Sequence, residues 1–170
     1  CYVVMATKLF ASATLRRQDS VAVTFEQILR VLRRLRPSAT ILVRPHPLAI
    51  NELYLHRTLE RLSDANIALT LLHPELLDKL SKRVIINAPT NLIYTSREGR
   101  YIDCSDYREE DLAERGNESF GAGYGAVYIN PNTPNFEARL DEALDDSHER
   151  RSNLNLDKRQ SLIRINPPSV

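Results

Sequence analysis

Cysteine is nearly absent from this chain: Cys1 and Cys104 are the only two in 170 residues, far apart and with no CxxC pair. That excludes a disulfide framework, leaves no zinc signature and suits a reducing compartment, so a cytoplasmic setting is expected. Net charge is nearly absent too, +1 from 23 basic and 22 acidic residues. Bulk electrostatics therefore argue for neither nucleic acid nor a membrane surface as partner, and any basic function has to be local. No apolar run approaches the roughly 18 residues that a membrane helix needs, and the first residues carry no signal-peptide pattern. Glycine is scarce: five in all, three of them inside Phe120-Gly121-Ala122-Gly123-Tyr124-Gly125. The GxGxG spacing departs from the GxGxxG dinucleotide fingerprint and precedes a strand-like run, so it reads as a connector. No internal repeat or low-complexity tract competes with a globular reading.

With 42% hydrophobic and 26% charged residues, the chain is large enough for one sizeable core. Apolar, β-branched runs alternate with helical periodicity along it. Strands are expected at residues 2–6, 40–43, 67–72, 84–86, 100–104 and 126–129; helices at 21–35, 51–63, 74–80, 92–96, 107–115 and 136–144. This predicts an α/β fold, a doubly wound and mainly parallel sheet of about six strands with helices on both faces. Residues 1–146 form one Rossmann-like domain on this reading, and residues 147–170 a polar tail suited to packing on a domain that this chain does not contain. A core strand that begins at Tyr2, with neither lead-in nor initiator methionine, leads to the expectation that the chain is a piece of a longer protein. In the first helix Val21, Phe25, Ile28, Leu29, Leu32 and Leu35 make an apolar stripe. Arg30, Arg33, Arg34 and Arg36 lie between them, better explained as a solvated face than as a phosphate-binding one.

The chemistry concentrates in Thr40-Ile41-Leu42-Val43-Arg44-Pro45-His46-Pro47. A buried strand empties here into a loop stiffened by two prolines, which hold Arg44 and His46 extended with little entropy left to lose on binding. In open parallel sheets, ligands sit beyond the carboxyl ends of strands. A second strand end, Asn87-Ala88-Pro89-Thr90-Asn91, leads toward a helix start. Backbone N–H groups there, with the Thr90 hydroxyl, suit an anion; Thr90 or Asn91 acting purely as a cap is the plainer alternative. Right-handed crossovers would bring the ends of strands one, two and four to one rim, so that Lys8, Arg44, His46, Thr90 and Asn91 frame a pocket for a nucleotide phosphate. Asp103 and Asp106 are capable of holding a cation, but acidic residues at a strand end more often make a turn, and no metal is assigned.

The Arg44-Pro45-His46-Pro47 loop, followed about forty residues later by Ala88-Pro89-Thr90-Asn91, resembles the C-terminal, donor-binding half of GT-B glycosyltransferases. The resemblance is to the bacterial capsule and surface-polysaccharide type with a His-Pro motif. It implies that His46 contacts the nucleotide phosphate and serves as the catalytic group, with the Thr90 hydroxyl also at phosphate. It implies a nucleotide-activated sugar or polyol phosphate as donor, CMP- or CDP-linked rather than UDP-linked, with no further cofactor. The acceptor would be a polysaccharide or lipid-linked glycan, and an N-terminal GT-B domain would complete the site and hold the protein at the inner face of the membrane. Thr90-Asn91 stands where that family usually has Ser-Ser or Ser-Thr. Two other readings fit the same rim: a nucleotide-binding module without chemistry, and a sugar-nucleotide epimerase.

Overall fold

The alternation of apolar runs resolves into alternating strands and helices. The computed structural model describes residues 1–6, 20–87, 100–107, 112–113 and 125–145. In chain order these form β1 (Tyr2–Ala6), α1 (Ser20–Leu35), β2 (Ile41–Pro45), a single 3₁₀ turn (Pro47–Ala49), α2 (Leu53–Leu62), β3 (Ile67–Leu69), α3 (Pro74–Leu80), β4 (Arg83–Ile86), β5 (Tyr101–Asp103), β6 (Val127–Tyr128) and α4 (Phe136–Leu144). The six strands make one sheet in the order β3-β2-β1-β4-β5-β6, every pairing parallel. This is the expected doubly wound α/β architecture. The expected helix at 92–96, the tail from residue 147 and most of the glycine hexad lie outside the described residues; of the helix expected over 107–115, Tyr107 is described and not helical, 112–113 are helical, and the rest lie outside the described residues. Gly125, the last residue of the hexad, has φ 79°, a conformation that costs any residue with a Cβ.

β4, β5 and β6 differ from expectation by a residue at one or both ends, and β2 and β3 differ for identifiable reasons. β2 runs two residues further than the apolar pattern, through Arg44 and Pro45. The Ile41 N–H donates to Asn66 O toward β3, whereas the His46 N–H donates to Ala6 O toward β1. Alternation along the strand therefore aims position 45 toward β3, which has already ended at Leu69. Proline's missing donor is not needed there, so Pro45 does not end the strand. β3 is shorter than expected because it is an edge: beyond Leu69 only the Thr70 N–H, bonded to Val43 O, continues toward β2.

Among the described residues the two faces of the sheet are covered unequally. On one, Val4, Ala6, Ile41, Val43 and Ile85 pack under Phe25, Ile28, Leu29 and Leu32 of α1, Leu55 of α2 and Phe136 and Leu140 of α4. Each of these large side chains contributes about 1.5–3 kcal/mol on burial. On the other, Val3, Met5, Val84, Ile86 and Tyr101 pack with Leu77 of α3. Asp78 of α3 turns toward β5: burial and then its carboxylate raise the pKa of the Tyr101 hydroxyl above the ordinary tyrosine range.

The three arginines of α1 and Arg36 just beyond its end are ion-paired. Arg30 bonds Glu26 one turn away, and Arg33 reaches Asp64 at 2.5 Å. Arg34 bonds Glu137 of α4 at 2.6 Å, and Arg36 bonds both Asp141 and Asp145 at 2.6 and 2.7 Å. The basic face of α1 is thus the seam to α4 and to the α2–β3 turn. At the start of β4, Arg83 is 3% exposed, and its guanidinium donates to the carbonyls of Ala143, Asp145 and Lys82, each at 3.1 Å.

Candidate functional site

Strand order reverses between β1 and β4: the chain first builds leftward through β2 and β3, then returns to the other side of β1. At such a switch point the loops leave in opposite directions and open a crevice at the carboxyl ends of the strands. Registers Ala6↔Pro45 and Met5↔Ile86 bring the ends of β1, β2 and β4 level at this rim. The convergence expected for those three strand ends is therefore present. Of the predicted site residues, Arg44 and His46 are described; Lys8, Thr90 and Asn91 lie outside the described residues.

His46 sits on the rim beside the β1 end, tied by its N–H to Ala6 O at 2.7 Å. Its backbone, φ −57° and ψ 141°, is the extended geometry that the following proline imposes. The next three residues form the 3₁₀ turn, closed by the Ala49 N–H onto His46 O at 2.7 Å. Nδ1 of the exposed imidazole accepts the Leu48 N–H at 3.2 Å. With Nδ1 used as acceptor, the neutral ring carries its proton on Nε2, which makes that nitrogen the donor available to a ligand. The loop thus fixes both the position and the tautomer of the histidine.

Arg44 is placed differently. It alternates with the buried Val43 and Pro45, so it belongs to the sheet face opposite α1, and burial lowers its pKa. Nε donates to Leu72 O at 3.2 Å and Nη1 to Pro45 O at 3.0 Å. These bonds brace the β2 loop against the segment that follows β3. Arg44 and His46 share a loop, but the arginine spends two of its donors on holding that loop.

The strand ends to the right of the switch point bring in residues that the sequence reading did not use for binding. Asn87 follows β4 and is fully buried. Asp103, also fully buried, accepts the Ser105 N–H at 3.0 Å and the Tyr107 hydroxyl at 2.7 Å. The Tyr107 ring meets Tyr128 edge-on, centroids 5.4 Å apart. Burial and the neighbouring carboxylates of Asp103 and Asp106 raise the pKa of the Tyr128 hydroxyl well above the tyrosine range. Asp106 accepts from Asn132 Nδ2 at 2.7 Å, linking the β5 and β6 ends. Asp103 and Asp106 thus serve turns and cross-links here. The available signal was the Asp-x-Ser spacing of 103 and 105, which marks an Asx turn.

The rim therefore offers a pre-oriented N–H donor at His46 at the switch point of a doubly wound sheet, backed by a set of buried polar residues. Such an arrangement suits an anionic group far better than a cation; among the described residues no group of three or more His, Cys, Asp or Glu side chains could hold a metal ion. No helix among the described residues is long and apolar enough to cross a membrane. No family model matches the chain, and no curated protein or solved structure matches it either.

Proposed function

We propose that this chain is the donor-binding half of a GT-B-type glycosyltransferase that moves a sugar or polyol phosphate from a nucleotide-activated donor to a surface glycan. The single observation that carries the reading is the hydrogen bond from His46 N–H to Ala6 O: it seats the histidine of a Pro-His-Pro loop at the switch point of the sheet. The order β3-β2-β1-β4-β5-β6 supports a nucleotide ligand there by analogy of fold. The resemblance of the His-Pro loop to surface-polysaccharide transferases supports the sugar-nucleotide class, with a CMP- or CDP-linked donor favoured.

In this reading the nucleotide phosphate is the leaving group. Negative charge grows on it as the bond to the transferred group breaks, and a donor fixed at His46 Nε2 binds it more strongly in the transition state than in the ground state. Because the loop holds the ring in place before the ligand arrives, little orientation entropy is lost at that moment. Arg44 acts as a positioning residue for the loop. The acceptor and its general base come from a partner domain, so this chain alone binds donor and turns over little.

Calorimetric titration with CMP, CDP, UDP and GDP tests the reading. One nucleotide is expected to bind saturably, and His46→Ala to weaken it about tenfold or more, roughly 1.4 kcal/mol. Binding indifferent to His46, or none to any of the four, would contradict it.

A further inference from the structure

Two His-Pro pairs stand at neighbouring strand ends, His46-Pro47 after β2 and His73-Pro74 after β3. Proline holds both histidines in one backbone conformation: φ −57° and ψ 141° at His46, φ −58° and ψ 138° at His73. Both residues are exposed. The His46 ring uses Nδ1 to accept the Leu48 N–H. His73 makes no such bond to the start of α3, and its ring has no hydrogen-bond partner among the described residues.

Arg44 stands between the two on this rim. Positions 44 and 46 are two apart on an extended backbone and so fall on one face of the sheet, the face on which Leu42 packs beside Leu77 of α3. From there the guanidinium crosses to the segment after β3, where Nε donates at 3.2 Å to the carbonyl of Leu72, the residue before His73. Nη1 donates to Pro45 O. A guanidinium has more N–H donors than these bonds use, and Nη2 is left for a further acceptor. Arg30, Arg33, Arg34, Arg36 and Arg61 each meet a carboxylate, whereas Arg44 meets none among the described residues. Glu52 and Glu75, the acids nearest the two histidines in sequence, pair with neither ring. Burial lowers the pKa of Arg44, and no acid raises it again. A partly buried cation without a counter-charge is stabilised by an anion that reaches it.

We infer that Arg44 and His73 form a second phosphate subsite beside His46, so that the donor is linked through a diphosphate and not through a single phosphate. His46 Nε2 takes the phosphate nearer the nucleoside, and Arg44 Nη2 with His73 takes the outer one, toward β3. This rests on the donor-binding reading above and narrows it: a CDP-type donor fits, and a CMP-linked one leaves Arg44 and His73 unused. Fixed cationic donors of this kind give short, charge-assisted bonds to phosphate oxygens.

Calorimetric titration of the chain with CMP against CDP, UMP against UDP and GMP against GDP tests the subsite. For the base that binds, the diphosphate should bind about tenfold or more tightly than the monophosphate. His73→Ala should cut that preference about fivefold or more, whereas His46→Ala should weaken both members of the pair. His73 is exposed and its ring is unbonded among the described residues, so the variant should keep the fold, which circular dichroism checks. Equal affinity for mono- and diphosphate, or a preference that His73→Ala leaves intact, would overturn the subsite while the dependence on His46 kept the donor-binding reading standing. Binding of no nucleotide, or binding indifferent to His46, would overturn both.

Discussion

Arg83→Met is expected to lower the folding stability of this chain by about 2–4 kcal/mol, as read from urea unfolding with an unchanged m-value. The first residue of a parallel strand is an unusual place for a cation, and its 3% exposure would be costly without compensation. Compensation comes from the end of α4. The last carbonyls of a helix have no intrahelical partner and carry the negative end of its dipole. Arg83 donates Nε to Ala143 O and Nη2 to Asp145 O while Nη1 takes Lys82 O, so one guanidinium ends the helix and locks it to the strand. Methionine keeps most of the volume, which leaves the loss of the charge-assisted bonds as the main effect; relief of the arginine's own desolvation offsets part of it. Lysine, a point donor without the fork, should recover less than half of the loss. A change below about 0.5 kcal/mol in either variant, the level of an ordinary surface substitution, would show that α4 is not held in this way.

The second large effect concerns the two thiols. Cys1 is exposed and Cys104 buried, and only the first should react with a thiol reagent while the protein is folded. In a Cys1→Ser variant, Cys104 is expected to react at least about 10³-fold more slowly than the same thiol in urea. Access then requires an opening that costs about 4 kcal/mol or more. Burial, followed by the Asp103 carboxylate, pushes the Cys104 thiol well above its ordinary value, with Arg139 opposing only in part. Raising the pH to about 9, where an ordinary cysteine is largely ionised, should speed Cys104 no more than it speeds the same thiol in urea, because the closed thiol stays protonated and only the opened one reacts. Because Cys104 adjoins Asp103 at the carboxyl end of β5, its reactivity reports whether the polar cluster behind the rim is packed. Equal rates for the two thiols would mean that it is open.

How much of this was legible in the residues varies from one element to the next. The order of strands and helices was, because α1 repeats its apolar positions at a helical period and β1, β2 and β4 are continuous apolar runs. The ends of β2 and β3 were not: Pro45 reads as a strand breaker until it is known that its missing N–H faces the space beyond β3. The arginines of the first helix were read as a solvated face; Arg30 and Arg34 are indeed exposed, and the structure adds the acidic partners that the reading did not supply. Glu137, Asp141 and Asp145 recur four residues apart on α4, a spacing visible in the sequence, but their match to Arg34 and Arg36 depends on a contact across more than one hundred residues. At the site, the prolines around His46 announced an extended backbone there, and its φ of −57° and ψ of 141° are extended. Arg44 looked equivalent to His46 in the sequence; in the structure Leu72 O and Pro45 O take two of its donors, which brace the loop. The buried role of Asp103 was hidden for a related reason: an acid at a strand end reads the same whether it faces water or accepts from Ser105 and Tyr107.

The central claim is that a nucleotide phosphate binds at the rim where β1, β2 and β4 end. The most direct measurement is a titration of the isotopically labelled chain with CDP, followed through its backbone amide resonances. The account predicts saturable shifts concentrated at Ala6, His46, Leu48, Asn87 and Ser105, and a loss of those shifts in His46→Ala. Shifts centred on the opposite ends of the strands, at Lys82, Arg83 and Asp145, or an absence of saturable shifts, would contradict it.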